Sequence, residues 1–308
     1  MEKISVIFIG TGEFGVHTLN ELSKNGNFNI PFIITGLDKP AGRKMHLHFS
    51  PIKEASIKNK IIVQQASHIV ELKQTIIQEK PDYLLVVAYG EIIPKEILEI
   101  PKIASINIHP SLLPKYRGAS PIQETILNGE KYTGISWIIM NRKMDSGDII
   151  SQIKVDVQSK DTSETLSDLL SKLASIHTPG VLMNFIQNRE TEKQDESQSS
   201  YCKKINKNAG QINVSEENAT SIIRKIKAYS AWPTCYIPWN NKRLKIIRAT
   251  EVEQKINTGE VVITENKELL IGTRNGTIKP TIVQPESKLP METKKFLLGQ
   301  KQIPKIIL

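Results

Sequence analysis

Cysteine is nearly absent: the 308 residues hold two, Cys202 and Cys235. Two thiols make neither a disulfide framework nor a zinc-ligand spacing, so both read as ordinary reduced cysteines. Long apolar runs are missing too. None approaches the roughly 18 residues that span a bilayer, which excludes a membrane-spanning helix. The apolar stretch Ile4–Ile9 is too short for a secretory leader and runs straight into glycine-rich sequence; no organelle presequence is recognisable. Internal repeats are absent as well. The composition is 39% hydrophobic and 24% charged, that of a soluble globular protein with room for two ordinary domains.

Acidic residues run short in one region only. Residues 1–205 carry 24 Lys/Arg against 23 Asp/Glu, whereas residues 206–308 carry 17 against 9. Nearly all of the net +9 therefore lies in the last third. A basic part joined to a near-neutral one points to a polyanionic partner such as nucleic acid. On charge alone, a lysine-rich surface that serves solubility is an equal alternative.

In the first half, short apolar runs alternate with helical patterns. Ile4–Ile9, Pro31–Thr35, Tyr83–Ala88 and Ala104–Ile108 read as buried strands. Phe14–Lys24, Pro51–Asn59 and Ile69–Gln78 read as the helices between them, and such alternation predicts an α/β, mostly parallel sheet of Rossmann-like kind. Thr133–Met140 and Ile149–Val157 add two strands around a polar loop. Thr165–Asn188 reads as a long helix with an apolar stripe of Leu166, Leu169, Leu170, Leu173 and Ile176, kinked or broken at Pro179-Gly180. Arg189–Ser200 has no large apolar residue and reads as a linker or surface loop. A helix over Glu216–Tyr229 and five short strand-like runs follow, with a hairpin turn at Asn275-Gly276. That order suggests a small β-barrel of OB-fold type. The expected domains are 1–188, a linker over 189–205, and 206–308.

Gly10-Thr11-Gly12-Glu13-Phe14-Gly15 fits G-x-G-x-x-G between a strand and a helix, with Asp38 at ribose-binding distance downstream. A dinucleotide site and a tight strand-to-helix turn explain these glycines about equally well. His46-x-His48 has no further ligands at metal spacing.

The segment from Asn107 to Pro114 lies at the end of a buried strand, where open α/β sheets place their sites. Asn107 and His109 are two apart and leave one face of the strand. Met144-Asp145-Ser146-Gly147-Asp148 is a tight acidic loop that can return a carboxylate to the imidazole. An amide, an imidazole and a carboxylate suit acyl transfer to an amine: two donors for an oxyanion, and a carboxylate to orient the ring or take the amine proton. A satisfied buried histidine and an ordinary turn are the plainer readings of the same residues.

The run Asn107-Ile108-His109-Pro110-Ser111-Leu112-Leu113-Pro114-Lys115-Tyr116-Arg117-Gly118, with Asp145 36 residues beyond His109, resembles the folate-dependent formyltransferase family. The resemblance implies Asn107, His109 and Asp145 as the catalytic trio. It implies folate contacts from Ser111, Leu112, Leu113 and Pro114, and a pterin-pocket wall from Tyr89-Gly90 and Ile93-Pro94. The implied co-substrate is 10-formyltetrahydrofolate, with no metal.

Asp38–Ser56, Arg117–Ile122 and the tail residues Ile223-Arg224, Ala231-Trp232-Pro233, Gln284–Lys288 and Pro290-Met291 are similar to the branch that formylates methionyl-tRNA. That similarity implies initiator methionyl-tRNA as partner, tRNA contacts from Arg43 and Lys44, and a monomer in the bacterial cytoplasm away from membranes. Gly12 and Gly15 stand where the family usually has Pro and Ala. The segment after Arg43 also departs from the family pattern. The runner-up is a branch acting on sugar-nucleotide amines, which has no need of a strongly basic tail.

Overall fold

The computed structural model describes residues 2–41 and 46–307. Its chain forms two compact units. One comprises residues 1–118, 132–156 and 167–202; the other comprises 119–131, 157–166 and 203–308.

The first unit is built on a sheet of β1 (Ile4–Gly10), β2 (Phe32–Thr35), β3 (Ile62–Gln65), β4 (Tyr83–Val87), β5 (Ala104–His109), β6 (Tyr132–Ile139) and β7 (Ile149–Asp156). The strands lie in the order β7-β6-β5-β4-β1-β2-β3. From β3 to β5 all pairs are parallel, and β6 and β7 continue the sheet antiparallel. β1 and β4 hold the centre because their side chains are apolar on both faces, as a strand covered twice requires; all five residues of β4 are buried. β3 had no legible signal: it is an edge strand with Ile62 turned outward.

Helices α1 (Val16–Lys24), α2 (Pro51–Lys58) and α3 (Lys73–Glu79) connect the parallel strands. α2 starts where Ser50 Oγ accepts a hydrogen bond from Lys53 N at 3.1 Å and Pro51 fills the first turn. Helix α4 (Ser163–Asn188) runs through Pro179 without a break. Buried Leu182 and Phe185 hold its second half, and the Tyr83 hydroxyl donates to the Leu182 carbonyl at 2.9 Å. Its apolar stripe is narrower than the sequence pattern suggests: Leu166, Leu170 and Ala174 are buried, whereas Leu169 and Ile176 face outward.

The N-terminal glycines resolve toward packing. A side chain at Gly10 would meet the Val87 carbonyl oxygen at 2.6 Å, and one at Gly15 would press on Ile52 and Phe8 at 3.1 Å. Asp38 is occupied as well. Lys53 Nζ lies 2.5 Å from its Oδ2, and Gln65 Nε2 donates to its Oδ1 at 3.1 Å. These bonds hold its carboxyl below the usual carboxylate range.

The stretch expected as a linker follows the first unit closely. Glu192 and Ile149 exchange backbone hydrogen bonds of 2.8 and 2.7 Å, and Tyr201–Cys202 pairs with Arg117–Gly118. These contacts are made by the backbone, so composition alone cannot reveal them.

The second unit carries α5 (Ala219–Ala228) and the strands β8 (Cys235–Trp239), β9 (Lys242–Val252), β10 (Val261–Ile263), β11 (Leu269–Gly272) and β12 (Thr277–Pro285). They form an antiparallel half-barrel in the order β8-β9-β12-β11-β10. Among the described residues no ladder joins β10 to β8, so the expected barrel is open there. A short helix, Pro121–Leu127, belongs to this unit and buries Ile122 and Ile126. No helix among the described residues is long and apolar enough to cross a membrane.

Candidate active site

The site forms at the carboxyl end of β5. Asn107 pairs with Ile138 and His109 with Ser136 across the β5–β6 ladder, and β6 is irregular between Trp137 and Ile138. Past Ile139 the chain turns through Asn141–Asp148 and brings Asp145 back over the strand end. Asp145 has φ +50°, in the left-handed region that costs an L-residue energy and is kept where surroundings over-determine it. Any side chain at Gly147 would run into the Ile139 carbonyl, so the turn can be this tight only with glycine there.

The three residues singled out in the sequence meet. Asn107 Nδ2 donates to Asp145 Oδ1 at 3.0 Å. Asp145 Oδ2 accepts from the Gly118 backbone N–H at 2.8 Å and lies 3.6 Å from His109 Nδ1. His109 is 4% exposed, and its Nε2 sits 2.9 Å from the Tyr116 carbonyl oxygen. A carbonyl only accepts, so Nε2 carries a proton, and Nδ1 is the ring nitrogen that faces the carboxylate. The sequence reading has the imidazole N–H free for a substrate oxygen. Here that N–H is taken by Tyr116, and the side of the ring that can gain a proton faces Asp145.

The loop after His109 is held from beneath. Ser111 Oγ donates to the Lys115 carbonyl at 2.7 Å, and Ser136 Oγ donates to the Ser111 carbonyl at 2.7 Å. Gln152 Nε2 donates to the Leu113 carbonyl at 2.9 Å. Leu113 packs into a buried cluster with Ile138 and Ile149. Ser111 and Leu113 thus anchor the loop, and Leu112 and Pro114 are the partly open members of the segment. At the end of β4, Tyr89 packs on the core and Gly90 is exposed with open space beside it. Burial, with Glu91 adding to it, pushes the Tyr89 hydroxyl up to about 12, so it remains a donor at neutral pH. Ile92, 83% exposed, extends this apolar edge. Arg43 and Lys44 lie outside the described residues.

Sequence reasoning missed the support behind Asp145. Arg117 is fully buried, and Gln194 and Glu196 reach it from the supposed linker. The sequence neighbours of Arg117 give no sign of this, since Lys115 two positions earlier carries the same charge and is exposed. Among the described residues no group of three His, Cys, Asp or Glu side chains is placed to hold a metal ion.

Comparison with known proteins decides the family. The formyl transferase family matches residues 2–182, and the formyl transferase C-terminal domain matches residues 204–301. The chain belongs to the formyl transferase family. A family member from Sulfurimonas denitrificans, a methionyl-tRNA formyltransferase, is 37% identical over 302 residues, 97% of either chain. The sugar 3N-formyl transferase WlaRD shares the fold at TM-score 0.67 and 23% identity, covering 94% of this chain and 100% of its own. HypX from Aquifex aeolicus aligns at TM-score 0.65 and 16% identity. This chain spans about half of HypX: the match covers 97% of this chain and 49% of that one.

Proposed function

We propose that this protein transfers the formyl group of 10-formyltetrahydrofolate to the α-amino group of initiator methionyl-tRNA, as a monomer in the cytoplasm. The observation that carries the reading is the contact of Asn107, Asp145 and His109 in a chain 37% identical, end to end, to a methionyl-tRNA formyltransferase. The edge beside the trio suits a flat heteroaromatic group: Gly90 leaves space, and Ile92, Leu112 and Pro114 give apolar surface. When bound there, the folate supplies an activated formyl carbon.

The chain's own residues then have two tasks. Asn107 spends one amide N–H on Asp145, and its second N–H is the donor for a developing oxyanion. Asp145 and His109 take up the proton of the attacking amine. With the proton on His109 the product is an imidazolium facing the Asp145 carboxylate in a largely buried pair, an arrangement in which each charge favours the other. No side-chain nucleophile is needed, because a free α-amino group with a pKa of roughly 7.7–8.0 is partly neutral near pH 7.

The tRNA reading draws on the second unit. Its cavity of about 370 Å³ is lined by Lys207, Arg243 and Lys245 together with Tyr236 and Glu286, and the Arg243 guanidinium lies 4.5 Å from the Tyr236 ring centroid. The exposed Lys207 and Arg243 suit a phosphate backbone. Arg43 and Lys44 are proposed as further tRNA contacts.

The deciding assay offers 10-formyltetrahydrofolate with methionyl-tRNA, a UDP-amino sugar or glycinamide ribonucleotide. Transfer to methionyl-tRNA is expected; transfer to a small amine alone would overturn the acceptor. In the same assay His109→Ala and Asp145→Ala should each lower kcat roughly 10²–10⁴-fold while tRNA binding is retained.

A further inference from the structure

We infer that Gln194 is a positioning residue for Asp145, and that with Arg117 it sets the carboxylate against His109. The inference rests on the catalytic reading of Asp145 above.

Gln194 Nε2 donates to two carbonyls of the catalytic loop, Asp145 O at 2.8 Å and Gly147 O at 2.7 Å. Its Oε1 accepts from Arg117 Nε at 2.9 Å and Arg117 Nη2 at 2.7 Å. The side-chain amide is used completely, and its orientation follows from its partners. Reversed, it would face two carbonyls with an acceptor and a guanidinium with a donor.

Arg117 is equally committed. Beyond the two bonds to Gln194, Nη1 and Nη2 donate to the Glu196 carboxylate at 3.0 and 2.8 Å, and Nη1 donates to the Tyr201 hydroxyl at 3.0 Å. All five N–H groups of a fully buried guanidinium are thereby matched. The residue after Arg117 is Gly118, whose N–H holds Asp145 Oδ2. One buried cation thus fixes Asp145 at both ends. Gln194 holds its backbone carbonyl, and the strand containing Arg117 holds its carboxylate. The left-handed Asp145 backbone needs such over-determination, because the hydrogen bonds within its own turn involve Asn141, Lys143 and Ser146.

Gln194→Glu separates positioning from mere support. The carboxylate still accepts from Arg117 but has no N–H for the loop carbonyls, and it repels them. Folding should therefore survive while Asp145 shifts. In the full-length protein, hydrogen exchange of backbone amides over 141–149 should become at least about tenfold faster than in the wild type. On 10-formyltetrahydrofolate and methionyl-tRNA, kcat should fall about 10²-fold with both KM values within about threefold. Gln194→Ala should lose activity and thermal stability together. Unchanged exchange in Gln194→Glu, or unchanged kcat where the wild type is active, would overturn the positioning role. A wild type that transfers to no methionyl-tRNA would instead overturn the acceptor reading, and exchange alone would then judge Gln194.

Discussion

Arg117 in the sheet unit and Arg243 in the half-barrel unit carry the same group in opposite circumstances. Arg117 is wholly buried, and its donors are all taken by Gln194, Glu196 and Tyr201. Arg243 is exposed and lies over the Tyr236 ring; among the described residues its guanidinium has no ion-pair partner. Residues 1–205 carry nearly equal numbers of cations and carboxylates, whereas residues 206–308 carry a net +8. A matched cation builds geometry, whereas an unmatched one is available to a partner. On the proposed function, fine positioning falls to the first unit and long-range attraction to the second.

The comparison breaks most easily at Arg117. Arg117→Ala leaves a side-chain-sized hole and orphans the Gln194 carbonyl oxygen, and should cost about 3 kcal/mol of unfolding free energy. Glu196 is 69% exposed and stays hydrated, which keeps the loss below that of a fully buried pair. Denaturant unfolding checks this: a loss under about 0.5 kcal/mol would mean that the buried network holds nothing together.

Arg243 is the opposite case. Arg243→Ala with Lys245→Ala should leave stability within about 0.5 kcal/mol. Affinity for methionyl-tRNA should fall roughly tenfold at moderate salt, and the slope of log affinity against log salt should become shallower by about 2. Filter binding over a salt series reads both effects. An unaltered slope would remove the cavity near Tyr236 from the tRNA footprint and leave the charge of this unit to solubility.

The two units also differed in how far their sequences could be read. The strands of the first unit were visible because β1 and β4 are buried on both faces, so their apolar runs have no competing explanation. β3 was not, since an edge strand with Ile62 exposed has no alternation to show. The meeting of Asn107, His109 and Asp145 was legible because Asn107 and His109 share a strand face, and the glycine-bearing turn at 145–148 has little freedom. Gln194 was not legible: nothing local distinguishes a glutamine that spans from Arg117 to the Asp145 loop from one in solvent. In the second unit, pattern revealed the strands, but the open edge of the half-barrel depends on pairings between distant residues. Pro179 does not break its helix, because tertiary contacts at Leu182 and Phe185 outweigh the hydrogen bond it lacks.

The smallest expected effect concerns how the sheet unit responds to acid. The Arg117 hydrogen bonds hold the Glu196 carboxyl below its usual range. Its folded-state pKa is thus lower than in the unfolded chain, so between the two values the unfolded chain binds more protons and stability rises with pH. The contribution is complete above about pH 4.5, the ordinary value for this group, and is lost as pH falls through the lowered one. Asp38, Asp168 and Asp195 are shifted the same way, so the acid sensitivity of the wild type alone cannot isolate Glu196. Glu196→Gln supplies the difference. The variant should melt slightly below the wild type near neutral pH, and the gap should close as both are acidified below about pH 4. A gap independent of pH would assign the loss to packing around Tyr201 rather than to the ion pair. A gap that widened in acid would mean that the carboxylate is not what keeps Arg117 in place.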